Sequence, residues 1–107
     1  MNTAAGYDEV GRSSTWKANV WTADHATKYI FDDGHTVSLL WGKDSYGSMN
    51  EFGQATSYEV AVFKPDGEFL KLSEWDDVIG GQDWLVVEHI LTKIDCGHAE
   101  TLEKYYK

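Results

Sequence analysis

Tyr58-Glu59-Val60-Ala61-Val62-Phe63-Lys64-Pro65-Asp66-Gly67-Glu68-Phe69-Leu70-Lys71-Leu72 is the stretch that decides the fold. A β-prone run enters Lys64-Pro65-Asp66-Gly67 and a second apolar run leaves it. Proline presets φ at the first turn position, aspartate tolerates the next, and glycine supplies the positive φ that sends the chain back. The stretch predicts a β-hairpin.

Upstream, Lys28-Tyr29-Ile30-Phe31 and Thr36-Val37-Ser38-Leu39-Leu40-Trp41 flank Asp32-Asp33-Gly34-His35. An Asp-Gly pair between two such runs predicts another hairpin. From Thr15 to Thr22, Trp16, Ala18 and Val20 alternate with Lys17 and Asn19, the period-2 pattern of a half-buried strand, with Trp21 on its opposite face. Downstream, Gly80-Gly81 breaks the chain after Trp75 to Ile79, and Asp83 stands where a helix N-cap belongs. Trp84, Val87, Leu91 and Ile94 then fall on one helical stripe, widened by Leu85, Val86 and Ile90, and Gly97 is placed to close the helix near Asp95. The predicted class is α+β: an antiparallel sheet of about four to five strands, two hairpins plus an N-terminal strand, covered by one C-terminal helix. Residues 1–13 are expected to be a flexible lead-in, 14–98 the single domain, and 99–107 a short, frayed, helix-capable tail.

A chain of 107 residues with 42% hydrophobic content supports one core and not two. Five Trp, six Tyr and four Phe supply large areas to bury and leave rings available for an interface. The sequence has no apolar run long enough to span a bilayer, and Met1 to Gly11 lacks a charged start followed by an apolar stretch, so the chain is expected to remain in the cytoplasm where it is made. Cys96, the single cysteine, excludes an internal disulfide and fits a reducing compartment. The net charge of −9 argues against a binder that works by neutralising phosphates and favours a basic partner. From Glu74 to Glu103 there are eight acidic residues (Glu74, Asp76, Asp77, Asp83, Glu88, Asp95, Glu100 and Glu103) against Lys93 alone. The plain interpretation is a solvated face; the functional one is a partner-binding acidic surface.

Chemistry-bearing arrangements are sparse. Cys96 and His98 flank a helix terminator, which explains them as well as nucleophilic catalysis does. Asp24, His25, Asp32, Asp33 and His35 could supply a divalent metal site, but without the spacing of a known cage, and Asp32 and Asp33 already have a turn role. Asp76 and Asp77, adjacent on an extended segment, point opposite ways and read as a polar turn rather than an acid–base pair. Gly80-Gly81 could cradle an anion, yet Asp76, Asp77 and Asp83 would repel it. No phosphate loop or dinucleotide fingerprint occurs. The loop Lys43–Thr56 carries more signal. Tyr46, Met49 and Phe52 place aromatic and soft apolar groups, with Glu51, in a segment otherwise built for exposure, so they either anchor an interface or fold back as a lid over the sheet's open end. Trp41 and Trp75 are open to the same two interpretations, core or rim packing being the plainer.

Thr36-Val37-Ser38-Leu39, Ser45-Tyr46-Gly47, Tyr58-Glu59-Val60-Ala61-Val62, the turn ending in Gly67, and Asp77-Val78-Ile79-Gly80 before a helix together resemble a group of small uncharacterised accessory proteins of tailed bacteriophages. The resemblance spans Tyr29 to Ile94. It departs from the group's pattern in the longer Asn50–Gln54 insertion and in Gly81-Gln82-Asp83 at the helix start. It implies a phage-encoded accessory protein in a bacterial host cytoplasm, a class rich in inhibitors of host enzymes and defence systems. The leading expectation is therefore a non-enzymatic, cofactor-free inhibitor of the anti-CRISPR or anti-restriction kind. Tyr46, Met49, Glu51, Phe52 and Trp75 would contact a host protein, and Asp76, Asp77 and Asp83 would pair with its Lys or Arg side chains. The alternatives are an acidic nucleic-acid mimic, a small metal-dependent enzyme at the His25–His35 region, and a regulator of host transcription.

Overall fold

The computed structural model describes residues 8–43 and 45–106, with side chains from Gly11 onward. Among the described residues, seven strands, β1 (Asp8–Arg12), β2 (Ala18–Ala23), β3 (Ala26–Phe31), β4 (Thr36–Leu40), β5 (Tyr58–Phe63), β6 (Phe69–Leu70) and β7 (Val78–Gln82), precede one helix, α1 (Trp84–Asp95), and a 3₁₀ turn at Ala99–Leu102. The sheet is antiparallel throughout, as its hairpins require, and β1 to β5 lie in chain order. Both β6 and β7 pair with the remaining edge of β5: β6 at Val62 and Phe63, β7 at Tyr58, Val60 and Ala61. They form one edge strand interrupted by residues 71–77. The α+β class stands as expected, with more strands than the sequence indicated.

The predicted turns close as their residues dictate. Phe31 N–H donates to the His35 carbonyl at 2.8 Å with Gly34 at φ 99°, and Lys64 N–H donates to the Glu68 carbonyl at 2.7 Å with Gly67 at φ 88°. The β2–β3 hairpin was not foreseen. It turns on Asp24-His25 with His25 at φ 60°, a conformation for which a histidine gives only a faint signal. The N-terminal strand accordingly runs from Ala18 to Ala23, and Trp16 lies ahead of it.

Directly paired residues share a face of a sheet. Val37 pairs with Val62 and Leu39 with Val60, so these four aliphatic side chains form a square on one face. Val87, Ile90, Leu91 and Ile94 of α1 cover it, and all eight are buried. Each side chain so buried contributes about 1.5–3 kcal/mol. The helix begins as predicted: the Asp83 carboxylate accepts from Val86 N–H at 3.1 Å. Gly97 closes it at φ 82°, with His98 N–H donating to the Lys93 carbonyl at 2.8 Å. Trp16, Tyr29, Trp41, Tyr58 and Trp84 pack against one another at the rim between sheet and helix, their ring centroids 5.7–6.4 Å apart. For Trp41 the rim expectation therefore holds.

Both chain ends depart from expectation. Of the predicted lead-in, residues 1–7 lie outside the described residues, but 8–12 form β1, with a bulge near Gly11. Arg12 makes a two-pronged pair with Asp32 at 2.5 and 2.6 Å, tying β1 to the β3–β4 turn. Of the predicted tail, Lys107 lies outside the described residues, but Ala99 and Leu102 are buried. Lys104 N–H donates to the Lys71 carbonyl and Tyr106 N–H to the Leu72 carbonyl, so the tail docks beside the interruption between β6 and β7. No helix among the described residues is long and apolar enough to cross a membrane.

Two outcomes follow from this packing. Leu91→Ala is expected to cost about 2–5 kcal/mol in urea unfolding, whereas Leu85→Ala, on the outward face of the same helix, stays within about 0.5 kcal/mol. The hydrogen bonds from Arg12 hold the Asp32 carboxyl below its ordinary value. A lowered folded value means that the pair stabilises the fold above the unfolded carboxylate's titration and that this is lost as pH falls through the folded one. Carbon-detected NMR titration should find Asp32 titrating low, and Arg12→Gln should move it back up.

Candidate protein-docking site

The segment between β4 and β5 is a small ribbon rather than an open loop. Met49 bridges Ala55 in antiparallel fashion, and Thr56 N–H donates to the Ser48 carbonyl at 2.9 Å. The Asn50 side-chain oxygen accepts from Phe52 N–H at 2.9 Å and Gln54 N–H at 3.0 Å, which builds the tip from one asparagine. Hydroxyls of Ser48, Thr56 and Ser57 lie 2.7–2.8 Å apart across the base.

Two glycines fix where the ribbon leaves the sheet. A Cβ on Gly47 would overlap the Leu40 carbonyl oxygen and lie 2.9 Å from both Glu59 N and Ser57 O, so only glycine fits. A Cβ on Gly80 would overlap that of Tyr46. Tyr46 N–H donates to the Glu59 carboxylate at 2.9 Å, and its carbonyl accepts from Gly81 N–H at 2.9 Å. The Tyr46 backbone is thus held from both sides while its side chain is 78% exposed. Phe52, at the tip, is 79% exposed, and Glu51 beside it is exposed.

The ribbon nevertheless rests on something. Trp41 Nε1 donates to the Gly53 carbonyl at 3.2 Å, and the His25 ring lies against Gly42 and Gly53. Asp24, His25, Leu40, Trp41, Lys43, Ser45 and Met49 line an open cleft of about 460 Å³ there. Met49 is half in this cleft. The lid interpretation therefore applies to the ribbon's seat and fails for Tyr46 and Phe52.

The remaining predicted site residues fall elsewhere. Trp75, Asp76 and Asp77 sit on the interruption between β6 and β7, where the Ser73 hydroxyl accepts from Trp75 N–H and Asp76 N–H at 3.2 and 2.9 Å. Trp75 is 80% exposed, which corrects the expectation of core or rim packing: the chain leaves the sheet after Leu70 and carries the indole outward with it. Asp83 caps the helix through one carboxylate oxygen and remains exposed. Asp95 accepts from Lys17 N–H at 2.7 Å.

The metal interpretation fails on geometry. His25 turns the chain at one end of β3, and Asp32, Asp33 and His35 turn it at the other, so the strand's six residues, about 20 Å of chain, separate them. His35 Nδ1 instead lies 3.0 Å from the Asp33 carboxylate. Among the described residues no three His, Cys, Asp or Glu side chains are grouped to hold an ion.

Sequence reasoning missed the docked tail. His89 Nδ1 and the Tyr106 hydroxyl are 2.6 Å apart, and the His89 ring lies 5.1 Å from that of Tyr105. Burial, and secondarily Tyr105, pushes the Tyr106 hydroxyl up to about 12, so it keeps its proton at neutral pH. The signal available was the Leu102 and Tyr106 pair in an otherwise charged segment.

Comparison with protein-family models, with curated proteins and with solved structures finds no match.

Because Gly47 has no room for a side chain, Gly47→Ala is expected to lift the ribbon from its seat. Limited proteolysis between Ser45 and Ser57 should accelerate, and the fluorescence of Trp41 should change as its bond to Gly53 is lost; a variant cleaved like the parent would contradict the packing argument.

Proposed function

We propose that this chain is a non-enzymatic binding protein that docks on another protein through the ribbon between β4 and β5. One observation carries the reading: Tyr46 and Phe52 are presented to solvent from a backbone already locked by hydrogen bonds and close glycine contacts. Exposed aromatic anchors dominate the energetics of many interfaces, and a preformed backbone reduces the ordering entropy lost on binding. Met49, partly exposed, and Glu51, exposed, lie on the same ribbon.

The resemblance to tailed-phage accessory proteins extends the reading to a setting, inhibition of a host or defence-system protein in the manner of an anti-CRISPR or anti-restriction factor. That extension rests on the resemblance alone. The net charge of −9 favours a partner with a basic surface. Acidic nucleic-acid mimicry is the second reading. It draws on the exposed carboxylates of Glu74, Asp76, Asp77 and Glu88, while Asp83 and Asp95 are engaged as acceptors within the fold.

Affinity capture from bacterial lysate with the tagged full chain is expected to recover one dominant protein, and Tyr46→Ala with Phe52→Ala should weaken its capture by roughly two orders of magnitude. Recovery that is indifferent to this double variant sinks the ribbon reading. Recovery abolished by modest salt, and by charge reversal at Glu74, Asp76, Asp77 and Glu88, selects mimicry instead.

A further inference from the structure

A helix lying on a sheet ordinarily turns polar residues to the solvent, yet α1 carries Leu85 there, 73% exposed and nearly opposite its buried stripe. A single exposed leucine is unremarkable on any protein surface. Here it does not stand alone. His89 lies one turn further along the helix, on the same side as Leu85. The His89 ring lies 5.1 Å from that of Tyr105, which is 59% exposed. Tyr105 and Tyr106 meet edge to face at 5.0 Å, and Tyr106 bridges Ser73. The Ser73 hydroxyl in turn holds the backbone of Trp75, whose indole is the most exposed large apolar group described. Helical spacing from Leu85 to His89, ring contacts from His89 to the docked tail, and backbone bonds from the tail through Ser73 to Trp75 thus place these groups in series.

Carboxylates adjoin each apolar member of this surface. Glu74 and Asp76 flank Trp75, Glu88 lies three residues beyond Leu85, and Glu103 is two before Tyr105; all are exposed. The nearest cations in sequence are Lys71, Lys93, Lys104, which directly precedes Tyr105, and Lys107. The excess of carboxylates lies around Trp75 and Leu85, where Glu74, Asp76, Asp77 and Glu88 have no nearer cation in sequence than Lys71 and Lys93, and the molecule as a whole is strongly negative. A second copy of the chain, carrying the same charge, would be repelled.

We propose that the surface formed by Leu85, Tyr105 and Trp75 is a second docking site, sharing no residue with the ribbon, whose partner is a basic amphipathic segment. The apolar side chains of that segment pack on Leu85, Tyr105 and Trp75, and its Lys or Arg residues face Glu74, Asp76 and Glu88. The two components have different salt responses: the charged one steers encounter and weakens as ionic strength rises, and the apolar one persists.

The probe is a synthetic amphipathic helix of Leu and Lys, titrated into the full chain and followed by fluorescence anisotropy. A Leu and Glu helix of the same pattern and an all-Lys peptide serve as comparisons. The Leu–Lys helix is expected to bind with partial salt sensitivity and the Leu–Glu helix not to bind. The all-Lys peptide should bind weakly and be lost at high salt. Trp75→Ala with Leu85→Ser and Tyr105→Ser, all exposed substitutions checked by unchanged circular dichroism, should weaken the Leu–Lys helix at least about tenfold. Tyr46→Ala with Phe52→Ala should leave it unchanged. Several results overturn the proposal: no binding of the Leu–Lys helix, equal binding of the Leu–Glu helix, indifference to the triple variant, or loss in the ribbon variant. Sedimentation showing a dimer that Leu85→Ser converts to monomer would also overturn it, assigning the surface to self-association.

Discussion

The structure depends on the burial of one aliphatic square, Val37, Leu39, Val60 and Val62, beneath the Val87, Ile90, Leu91 and Ile94 stripe of α1. β5 is the member on which this contact turns. It is paired along both edges, to β4 on one side and to β6 and β7 on the other, so its valines cannot tilt without breaking hydrogen bonds on both sides. The positions of the ribbon, the interrupted edge and the tail all follow from where β5 is held.

The interrupted edge shows how a small domain presents side chains without losing core. Leu70 and Val78 pair with neighbouring residues of β5, so the seven residues between them are excluded from the sheet. Leu72 within this excursion is completely buried, and Ser73 organises the backbone ahead of it, while Trp75 faces water. The tail then supplies hydrogen-bond donors to the Lys71 and Leu72 carbonyls, which the sheet no longer satisfies. The ribbon is held by the opposite device. There the absence of Cβ atoms at Gly47 and Gly80 allows backbone to approach backbone, and the Tyr46 side chain has nowhere to go but outward.

Acidic residues are divided between two tasks. Asp83 caps the helix, Asp95 accepts from the Lys17 backbone, and Asp32 holds Arg12, so these carboxylates serve the fold. Glu74, Asp76, Asp77 and Glu88 are exposed next to Trp75 and Leu85 and remain available to another molecule. A count of charges along the chain cannot separate the groups, because the difference lies in which N–H group, backbone or guanidinium, each carboxylate meets.

What the sequence by itself determined was governed by chemistry within a few residues: the turns at Gly34 and Gly67, the Asp83 cap, the helical stripe and its closure at Gly97. These follow from backbone sterics and short-range hydrogen bonding, which the local residues carry with them. The ribbon was legible as a segment with unusual aromatic content, but not as an ordered hairpin with Tyr46 and Phe52 outside. Only the tertiary structure decided that β1 exists, that His25 takes a left-handed turn, that the edge strand splits, and that the tail docks beside Leu72. The His25 turn is local but rests on a residue that signals it only faintly, whereas the other outcomes depend on partners far away in sequence, whose pairing leaves no periodic trace in the chain.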